Sequence, residues 1–590
     1  MEEVFSKAVS RILPRRIRTV RGDQKMRRIV LRFMTWLLLM GSVLCPQPAM
    51  AQKADTVYLS GTVLTMDAEN SVREAVAVSK GKILAVGMDA EIRAFAPDTT
   101  RVVDLTGKTL LPGFIDAHGH FPESGNMTLY SADLNSPPIG TMKSINDLVS
   151  ALSRKAEDTP AGEWVVGVGY DDTLLAENRH PTREDLDRVP GDHPIWIFHI
   201  SLHMGVANSK ALELAGVTKD TKKPEGGVVY MDPDTGEPTG LLEEIPAFWQ
   251  VWSKIPPRSE EQSLAAIEYA ANRYAAKGVT TAQNGRAEKA AIRLFEEAVR
   301  RGRLPIRVVV LPRWEVAAEI AAGDFAVESS DLLTIGAAKA VGDGSIQGYT
   351  GYLAKPYHVP YKGDASYRGY PQYPREKLVE MVKEMHAAGV QMAIHGNGDA
   401  AIDDILDAYE AALKEHPNAD ARPIIIHSQM ARDDQLDRMK ALGVLPSFFV
   451  LHTYYWGDRH RDIFMGPDRA ARMSPTRSSI ERGLRFTIHC DTPVVPMDPL
   501  LLVWSAVNRV STGGQVIGAA ERITPMQALR AVTIDAAWQS FEEDTKGSIE
   551  PGKFADLVIL AENPLDHPAS IRDIKVLETI LGGKTVYARD

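Results

Sequence analysis

Three sequence observations predict an α/β fold in which a (β/α)8 TIM-like barrel carries a small β-sandwich domain, built from both chain ends, and an insertion after the first barrel strand. Continuous apolar runs alternate with helical patterns through the middle of the chain. Short strand patterns cluster near both ends. A long polar and aromatic segment, residues 129–257, interrupts the alternation after its first strand. Alternating strands and helices are typical of a parallel sheet.

The N-terminal segment predicts export. Basic residues precede an apolar run from Phe33 to Leu44, and a small-x-small sequence ends at Ala51. This order is typical of a secretory signal peptide over residues 26–51. We therefore expect an exported bacterial protein, periplasmic or secreted, whose mature chain begins at Gln52.

The same segment bears on three further expectations. Residues 1–25 are basic and precede Met26, so a translation start at Met26 is an alternative to one at Met1. The apolar run is shorter than the roughly 20 residues that span a bilayer, so no stable membrane anchor is expected. Because Cys45 falls within the predicted signal, Cys490 is left alone and no intramolecular disulfide is expected.

Composition describes an ordinary folded chain. Its 590 residues are 44% hydrophobic and 24% charged, and the length allows more than one domain. The formal net charge is −10, and removal of the basic signal would make the chain more acidic. Such a surface argues against nucleic acid as a partner. A small-molecule substrate is expected, and a homodimer is left open.

Both chain ends are rich in short strands. Strand patterns separated by glycine-containing turns occupy residues 56–104, and three more lie between Gly547 and Tyr587. The two ends are rich in strands, whereas the middle of the chain alternates strands and helices. This contrast predicts one β-sandwich domain built from residues 52–112 and 545–590.

Residues 113–544 carry the predicted barrel. Continuous apolar runs suit parallel strands that are covered on both faces. Helical patterns lie between them, as over residues 375–388 and 400–414. Eight apolar segments favour a closed barrel over an open sheet. The predicted strands are residues 114–118, 279–283, 306–311 and 335–341, and four that end near His395, His427, Phe449 and Asp491.

The insertion, residues 129–257, is expected to lie beside the carboxyl ends of the strands, where barrel enzymes place their chemistry. Its polar and aromatic residues are typical of a substrate cap. They include Trp164, Tyr170, Asp171, Asp172, Trp196, His199, His203 and Trp249.

Histidines and one aspartate at strand ends predict a metal site. His118 and His120 stand two apart after an apolar strand, so their imidazoles are expected to point the same way. His395 and His427 end two further strands, and Asp491 ends the last. Each residue alone is more often structural. Together they are expected to converge at one end of the barrel. They therefore predict a site for one or two divalent ions, with zinc the first candidate.

Lys339 is an unusual member of this set. It lies in an apolar strand, where an unpaired ammonium is costly and cannot bind a metal. If the neutral amine adds carbon dioxide, the resulting carbamate offers two anionic oxygens that can bridge two cations. The alternative is an ion pair between Lys339 and Asp343.

Several motifs, in the order expected along the chain, resemble those of the metal-dependent amidohydrolase superfamily. Within this superfamily, the chain is most similar to the YtcJ-like branch, which includes N-substituted formamide deformylases. The resemblance covers nearly everything from Thr56 onward. Its motifs here are LPGFIDAHGH (111–120), EWVVGVGY (163–170), HMGVANS (203–209), GEPTG (236–240), Lys339 followed by DGS (343–345), and GSIEPGKFADLVI (547–559).

The resemblance implies a ligand set. His118, His120 and Asp491 would hold one metal, His395 and His427 the other, and a carboxylated Lys339 would bridge them. The branch commonly shows a glutamate directly before the sixth-strand histidine, whereas this chain has Ile426. We expect that difference to alter the support of the ligand and not to remove the metal.

The resemblance also implies roles for other residues. Asp491 would accept a proton from the attacking water and pass it to the leaving nitrogen. His203 and His452 would lie on the substrate side and hydrogen-bond a carbonyl or its oxyanion. The expected function is hydrolysis of a C–N bond in a small amide, formamide or cyclic amide. The alternatives are a one-metal hydrolase of esters or acyl amino acids and a non-catalytic ligand-binding relative.

Overall fold

A computed structural model of the protein describes residues 53–589. The predicted signal peptide, residues 26–51, lies outside the described residues. Within the described range, every helix is too short or too polar to cross a membrane.

The described elements are given in chain order. The strands are β1 (Thr56–Leu59), β2 (Thr62–Leu64), β3 (Val72–Arg73), β4 (Ala75–Ser79), β5 (Lys82–Gly87), β6 (Arg101–Asp104), β7 (Thr109–Pro112), β8 (Phe114–Ile115), β9 (Ala132–Asp133), β10 (Val165–Tyr170), β11 (Ile195–His199), β12 (Met204–Ala207), β13 (Val228–Met231), β14 (Pro238–Glu243), β15 (Val279–Ala287), β16 (Arg307–Pro312), β17 (Leu333–Ile335), β18 (Ala338–Val341), β19 (Met392–Gly396), β20 (Ile424–His427), β21 (Leu445–Phe448), β22 (Thr487–Ile488), β23 (Leu557–Leu560), β24 (Val576–Leu581) and β25 (Lys584–Ala588). The α-helices are α1 (Asp89–Arg93), α2 (Glu123–Tyr130), α3 (Ile145–Glu157), α4 (Arg183–Leu186), α5 (Ser209–Ala215), α6 (Ile245–Trp252), α7 (Glu260–Ala275), α8 (Lys289–Arg300), α9 (Trp314–Ala322), α10 (Arg375–Ala387), α11 (Asp399–Glu415), α12 (Asp433–Leu442), α13 (His452–Tyr455), α14 (Gly457–Arg459), α15 (Pro467–Ala471), α16 (Thr476–Glu481), α17 (Pro499–Asn508), α18 (Pro525–Ala531) and α19 (Ile534–Gln539).

Strands from both ends of the described chain share one sheet. Its six strands have the order β25-β24-β23-β7-β2-β3, and a four-stranded sheet has the order β5-β4-β1-β6. One apolar cluster joins side chains from both sheets, including Tyr58, Val76, Leu110, Leu557 and Ile580. The two ends therefore assemble around common buried apolar residues.

Two details of the C-terminal strands differ from the sequence prediction. Residues 547–549 do not form a strand, although Ile549 N donates one hydrogen bond to Thr65 O at 2.7 Å. The run 580–587 is divided between β24 and β25, because Gly582 and Gly583 take φ values of +53° and +75°. Glycine adopts this region without a Cβ clash, so the chain turns into a hairpin there.

The central strands pair in parallel throughout. One sheet has the order β17-β16-β15-β8, and the other has the order β18-β19-β20-β21-β22. The predicted fourth strand, residues 335–341, is divided between β17 and β18 at Gly336 and Ala337. The predicted helices over residues 375–388 and 400–414 are confirmed as α10 and α11.

The first and last parallel strands are shorter than predicted. β8 ends at Ile115 and β22 at Ile488, so His118 and Asp491 follow their strands in irregular backbone. The expectation of one extended strand through His118 is therefore wrong at its end. Backbone hydrogen bonds instead join the two segments directly, from Asp491 N to His118 O at 3.1 Å and from His120 N to Thr492 O at 2.7 Å.

The insertion contains a six-stranded mixed sheet of order β13-β14-β12-β11-β10-β9. Alternate residues of its strands pack in different apolar clusters, as alternate side chains of a strand point to opposite faces. Val165 and Ile197 belong to one cluster, and Val166 and Phe198 to the other. The face that carries Val166 and Phe198 also lines the cavity of the candidate site.

Candidate active site

The carboxyl ends of the parallel strands bring three of the four predicted histidine ligands together around Asp491. The ligand atoms of His118, His427 and Asp491 all lie within 4.8 Å of one another. Asp491 Oδ1 is 3.6 Å from His118 Nε2 and 3.4 Å from His120 Nε2, while Asp491 Oδ2 is 4.0 Å from His427 Nε2. Asp491 thus lies at the centre of three histidines.

Hydrogen bonds fix the imidazole of His118. Its Nδ1 lies 2.9 Å from Gln283 Oε1. Since an amide oxygen only accepts, Nδ1 carries the proton and Nε2 keeps its lone pair. Burial lowers the pKa of His118 well below its usual value, so the ring is neutral near pH 7. A neutral imidazole with an oriented lone pair is the form that binds metal.

His427 has a comparable support that the sequence analysis missed. Its Nδ1 lies 3.0 Å from His489 Nε2, and His489 Nδ1 lies 2.9 Å from Ser447 Oγ. Burial lowers the pKa of His427 well below its usual value. The position of His489, directly after β22 and close to Asp491 in sequence, was a usable signal, because the other candidate histidines also lie at strand ends.

Lys339 is buried beside the histidines. Its Nζ lies 3.3 Å from His118 Nε2, and only 3% of the residue is exposed. Burial lowers the pKa of Lys339 to about 7, against an opposing effect of Asp491. Near neutral pH a large fraction of the amine is therefore unprotonated and nucleophilic.

Asp343 is not the partner of Lys339. Its carboxylate accepts backbone N–H groups from Tyr352 at 2.9 Å, Asn397 at 2.9 Å and Gly398 at 2.8 Å. The alternative of a Lys339–Asp343 ion pair is therefore not what the structure contains. Asp343 instead holds the segment after β19.

His395 lies beside His427 with their ring centres 4.5 Å apart. Its Nε2 faces Gly344 O at 3.2 Å and Asn397 Nδ2 at 3.1 Å. Nδ1 is therefore the ring nitrogen left to act as a ligand.

His203 reaches the same cavity from the insertion. Its Nδ1 lies 3.0 Å and 3.1 Å from the two oxygens of Glu244, whose side chain is fully buried. Burial lowers the pKa of His203, but the carboxylate of Glu244, together with the charges of Asp343 and Asp491, raises it overall. His203 is thus favoured in its protonated form, which can donate a hydrogen bond from Nε2.

His452 lies apart from the cavity, contrary to its expected place beside the substrate. Its ring packs 4.3 Å from Phe449 and 5.9 Å from Trp456, measured between centres. The residue is 2% exposed and is not among those that line the cavity. Aromatic packing therefore holds His452 in the wall behind the site.

The cavity has a volume of about 360 Å³, which suits a small molecule. Histidines, Lys339 and Asp491 line one part of it. An apolar wall from the insertion, including α6, lines another part. Trp249, expected in this cap, is 55% exposed and absent from the lining. The wall comprises Val166, Val168, Phe198, Ile245, Phe248 and Trp252.

Other polar residues of the insertion form a separate ionic cluster. Asp172 contacts His199 Nε2 at 3.2 Å and His180 Nε2 at 3.5 Å. Asp171 pairs with Arg459 at 2.7 Å. Because the guanidinium already neutralises one carboxylate, this cluster is an ion-pair network that connects the insertion to α14.

Backbone conformation marks three residues of the site. His427, Asp491 and Glu244 have φ values of +72°, +55° and +64°. Such values are uncommon for residues other than glycine and persist where the surrounding structure enforces them. Here they direct a histidine, a carboxylate and the partner of His203 toward one cavity.

The donor set fits a divalent cation. Neutral imidazoles and a carboxylate are the ligands that zinc and similar ions prefer. Asp491 Oδ1 is buried and has no hydrogen-bond partner among the described residues. A buried acceptor without a partner is costly, and a cation would satisfy it.

Comparison with known proteins agrees with this geometry. The model of a family described as "Amidohydrolase family" matches residues 101–587. N-substituted formamide deformylase of Arthrobacter pascens is 30% identical over 552 residues, which cover 92% of this chain and 99% of that protein. The putative amidohydrolase YtcJ of Bacillus subtilis is 27% identical over 557 residues, which cover 90% and 99%.

A solved structure gives the same result. The crystal structure of an uncharacterized metal-dependent hydrolase from Pyrococcus horikoshii has a TM-score of 0.69 and 27% identity, covering 86% of this chain and 98% of that one. The α/β fold, the clustered ligands and these relatives agree, and the chain belongs to the amidohydrolase family.

Proposed function

We propose that the protein is an exported, metal-dependent amidohydrolase that cleaves a C–N bond in a small amide, formamide or cyclic amide. The observation that carries the proposal is the group of His118, His427 and Asp491, with Lys339 beside it, at a cavity of about 360 Å³. The similarity to a formamide deformylase over nearly the whole chain supports the reaction class.

The proposed metal ligands are those that the family resemblance implies, and the cluster of His118, His427 and Asp491 supports a metal at this place. His118, His120 and Asp491 would hold one ion, and His395 and His427 a second. Lys339, carboxylated on its unprotonated amine, would bridge the two. Divalent ions held there, zinc first among the candidates, would supply hydroxide near neutral pH and polarise a carbonyl.

The residues of the chain would complete the reaction. Asp491, whose Oδ1 lacks a hydrogen-bond partner among the described residues, accepts the proton of the attacking water. The same carboxyl group then donates that proton to the leaving nitrogen. His203, held protonated by Glu244, donates a hydrogen bond to the oxygen of the substrate carbonyl as its negative charge develops.

The proposal includes the architecture and the location. Eight parallel strands would close into a barrel, supported by the backbone hydrogen bonds between the segments of His118 and Asp491. The sheets from the two chain ends would form the β-sandwich. Export rests on the signal-like pattern of residues 26–51.

Metal analysis and a substrate screen test the function. Protein beginning at Gln52 and loaded with zinc should bind about two equivalents and hydrolyse members of a panel of formamides, acyl amino acids, lactams and esters. One equivalent would favour a one-metal hydrolase. Folded protein that binds no metal would favour a non-catalytic relative and refute the proposal.

The bridging role of Lys339 has its own test. Lys339→Ala should lose at least one metal and most activity, and the space left should admit a short carboxylate. Acetate or propionate with excess zinc should then restore part of the rate. The absence of any rescue, with metal content unchanged, would contradict a carboxylated lysine.

A further inference from the structure

Arg286 carries a positive charge into the cavity from β15. The preceding Gly285 packs so closely on His118 that a Cβ there would lie 2.4 Å from the imidazole Cε1. This close approach places β15 directly against the metal-binding residues. The side chain of Arg286 lines the cavity together with Lys339.

The guanidinium of Arg286 lacks a counter-ion in the part of the chain that the structure describes. The nearby carboxylates Glu288 and Glu315 both pair with Arg313, at 2.7 Å and 2.8 Å. Both carboxylates therefore contact Arg313, and Arg286 makes no ion pair or hydrogen bond of its own among the described residues. Since arginine stays protonated in proteins, the cavity wall carries a cation whose N–H donors have no hydrogen-bond partner among the described residues.

Arg258 provides a contrast within the same cavity. Its guanidinium lies 5.1 Å from the ring centre of Tyr130, and its charge lowers the pKa of the nearby Glu123, which burial raises. Arg258 thus has an aromatic partner and an acidic neighbour. The acidic neighbours of Arg286, Glu288 and Glu315, instead pair with Arg313, and no described side chain pairs directly with the Arg286 guanidinium, which singles it out as a site for an anion.

The remaining cavity surface limits what the anion can be attached to. Phe198, Phe248 and Trp252 form an apolar and aromatic wall. A free inorganic anion would leave that wall facing water. A small molecule with an apolar substituent and an anionic group would satisfy both surfaces.

We infer that Arg286 binds a substrate carboxylate, so that the preferred substrates are N-acyl or N-formyl amino acids with apolar side chains. A carboxylate accepts two parallel hydrogen bonds from a guanidinium, which fixes its orientation. The amide beside it would then lie toward Asp491 and Lys339. This inference rests on the proposed function, because it names the substrate class of the same site.

The test compares two substrates that differ only in the carboxylate. N-formyl-DL-phenylalanine should be hydrolysed with a higher kcat/KM than N-formyl-2-phenylethylamine. Arg286→Gln should lower the ratio of the two kcat/KM values roughly 10- to 100-fold, the usual range for a charged hydrogen-bonded pair. The matched variant Arg258→Gln should change that ratio less than threefold.

Other outcomes would overturn the inference. A wild-type ratio at or below one, or a ratio unchanged in Arg286→Gln, would show that Arg286 does not select for a carboxylate. Loss of metal from Arg286→Gln, with both substrates equally affected, would make Arg286 a partner of carboxylated Lys339 instead.

A binding measurement tests the carboxylate site independently of the hydrolysis reaction. Calorimetry with 3-phenylpropionate, which has no amide, should show saturable binding to the metal-loaded wild type and at least tenfold weaker binding to Arg286→Gln. If neither formamide is hydrolysed but this difference is found, the proposed function fails and the carboxylate site stands. Equal binding to both proteins would refute the site.

Discussion

At the scale of single residues, the site depends on partners that hold each reactive group in one protonation state. Gln283 fixes the proton of His118 on Nδ1, and Glu244 holds the proton of His203. The candidate ligands could be proposed from the sequence, because each lies in or shortly after an apolar strand. Their supporting partners were not predictable, because Gln283 is far in sequence from His118 and Glu244 is far from His203.

His203 gives a prediction at this scale. Replacing His203 with Gln should lower kcat roughly 10²- to 10³-fold, the usual effect of losing one oxyanion donor, without changing metal content. Because the folded-state pKa of His203 is raised, its donor form is present below the usual value of 6.5 and is lost as pH rises through the raised pKa. The alkaline decline of kcat in the wild type should therefore be missing from the variant. Loss of metal would instead identify His203 as a ligand.

At the scale of elements, the sequence predicted the strands and helices of the middle region well. Continuous apolar runs identify parallel strands because both faces are buried, and α10 and α11 agree with their predicted limits to within about two residues. The ends of β8 and β22 were mispredicted, since the segments that follow them pair with each other across the site. The position of His452 depends on packing against Phe449, which no local pattern reveals.

The connection between the insertion and α14 gives a prediction for an element. Arg459→Met would leave Asp171 buried without its cation, and breaking such a pair costs about 3–5 kcal/mol. The urea midpoint should fall accordingly, and KM should rise because the insertion lines the cavity. The control is Arg461→Met, which removes an exposed pair with Asp462 and should change the midpoint much less. Equal effects of the two variants would contradict a structural connection through Arg459.

At the scale of the whole molecule, both ends of the described chain build one sheet, while the residues between them build the cavity. The repeated strand patterns near both ends predicted this arrangement, but pairing partners such as β7 with β23 are set by tertiary contacts. The absence of a nucleic-acid partner stays a prediction, and it rests on the acidic net charge of −10.

Export is a prediction for the whole molecule. Protein isolated from its native cell should begin at Gln52, because the sequence ending at Ala51 has the small-x-small pattern of a cleavage site. N-terminal sequencing of the purified protein checks this. Recovery of intact residues 26–51 on the native protein would exclude cleavage at that site.

The most direct test of the central claim is the turnover of Asp491→Asn. Asparagine keeps the shape and one oxygen ligand but cannot accept a proton, so the variant should keep its fold and much of its metal. Its kcat on a verified substrate should fall roughly 10²- to 10⁴-fold, the range of general acid–base catalysis. Near wild-type turnover across neutral pH would show that Asp491 does not transfer the proton, and would contradict the proposed mechanism.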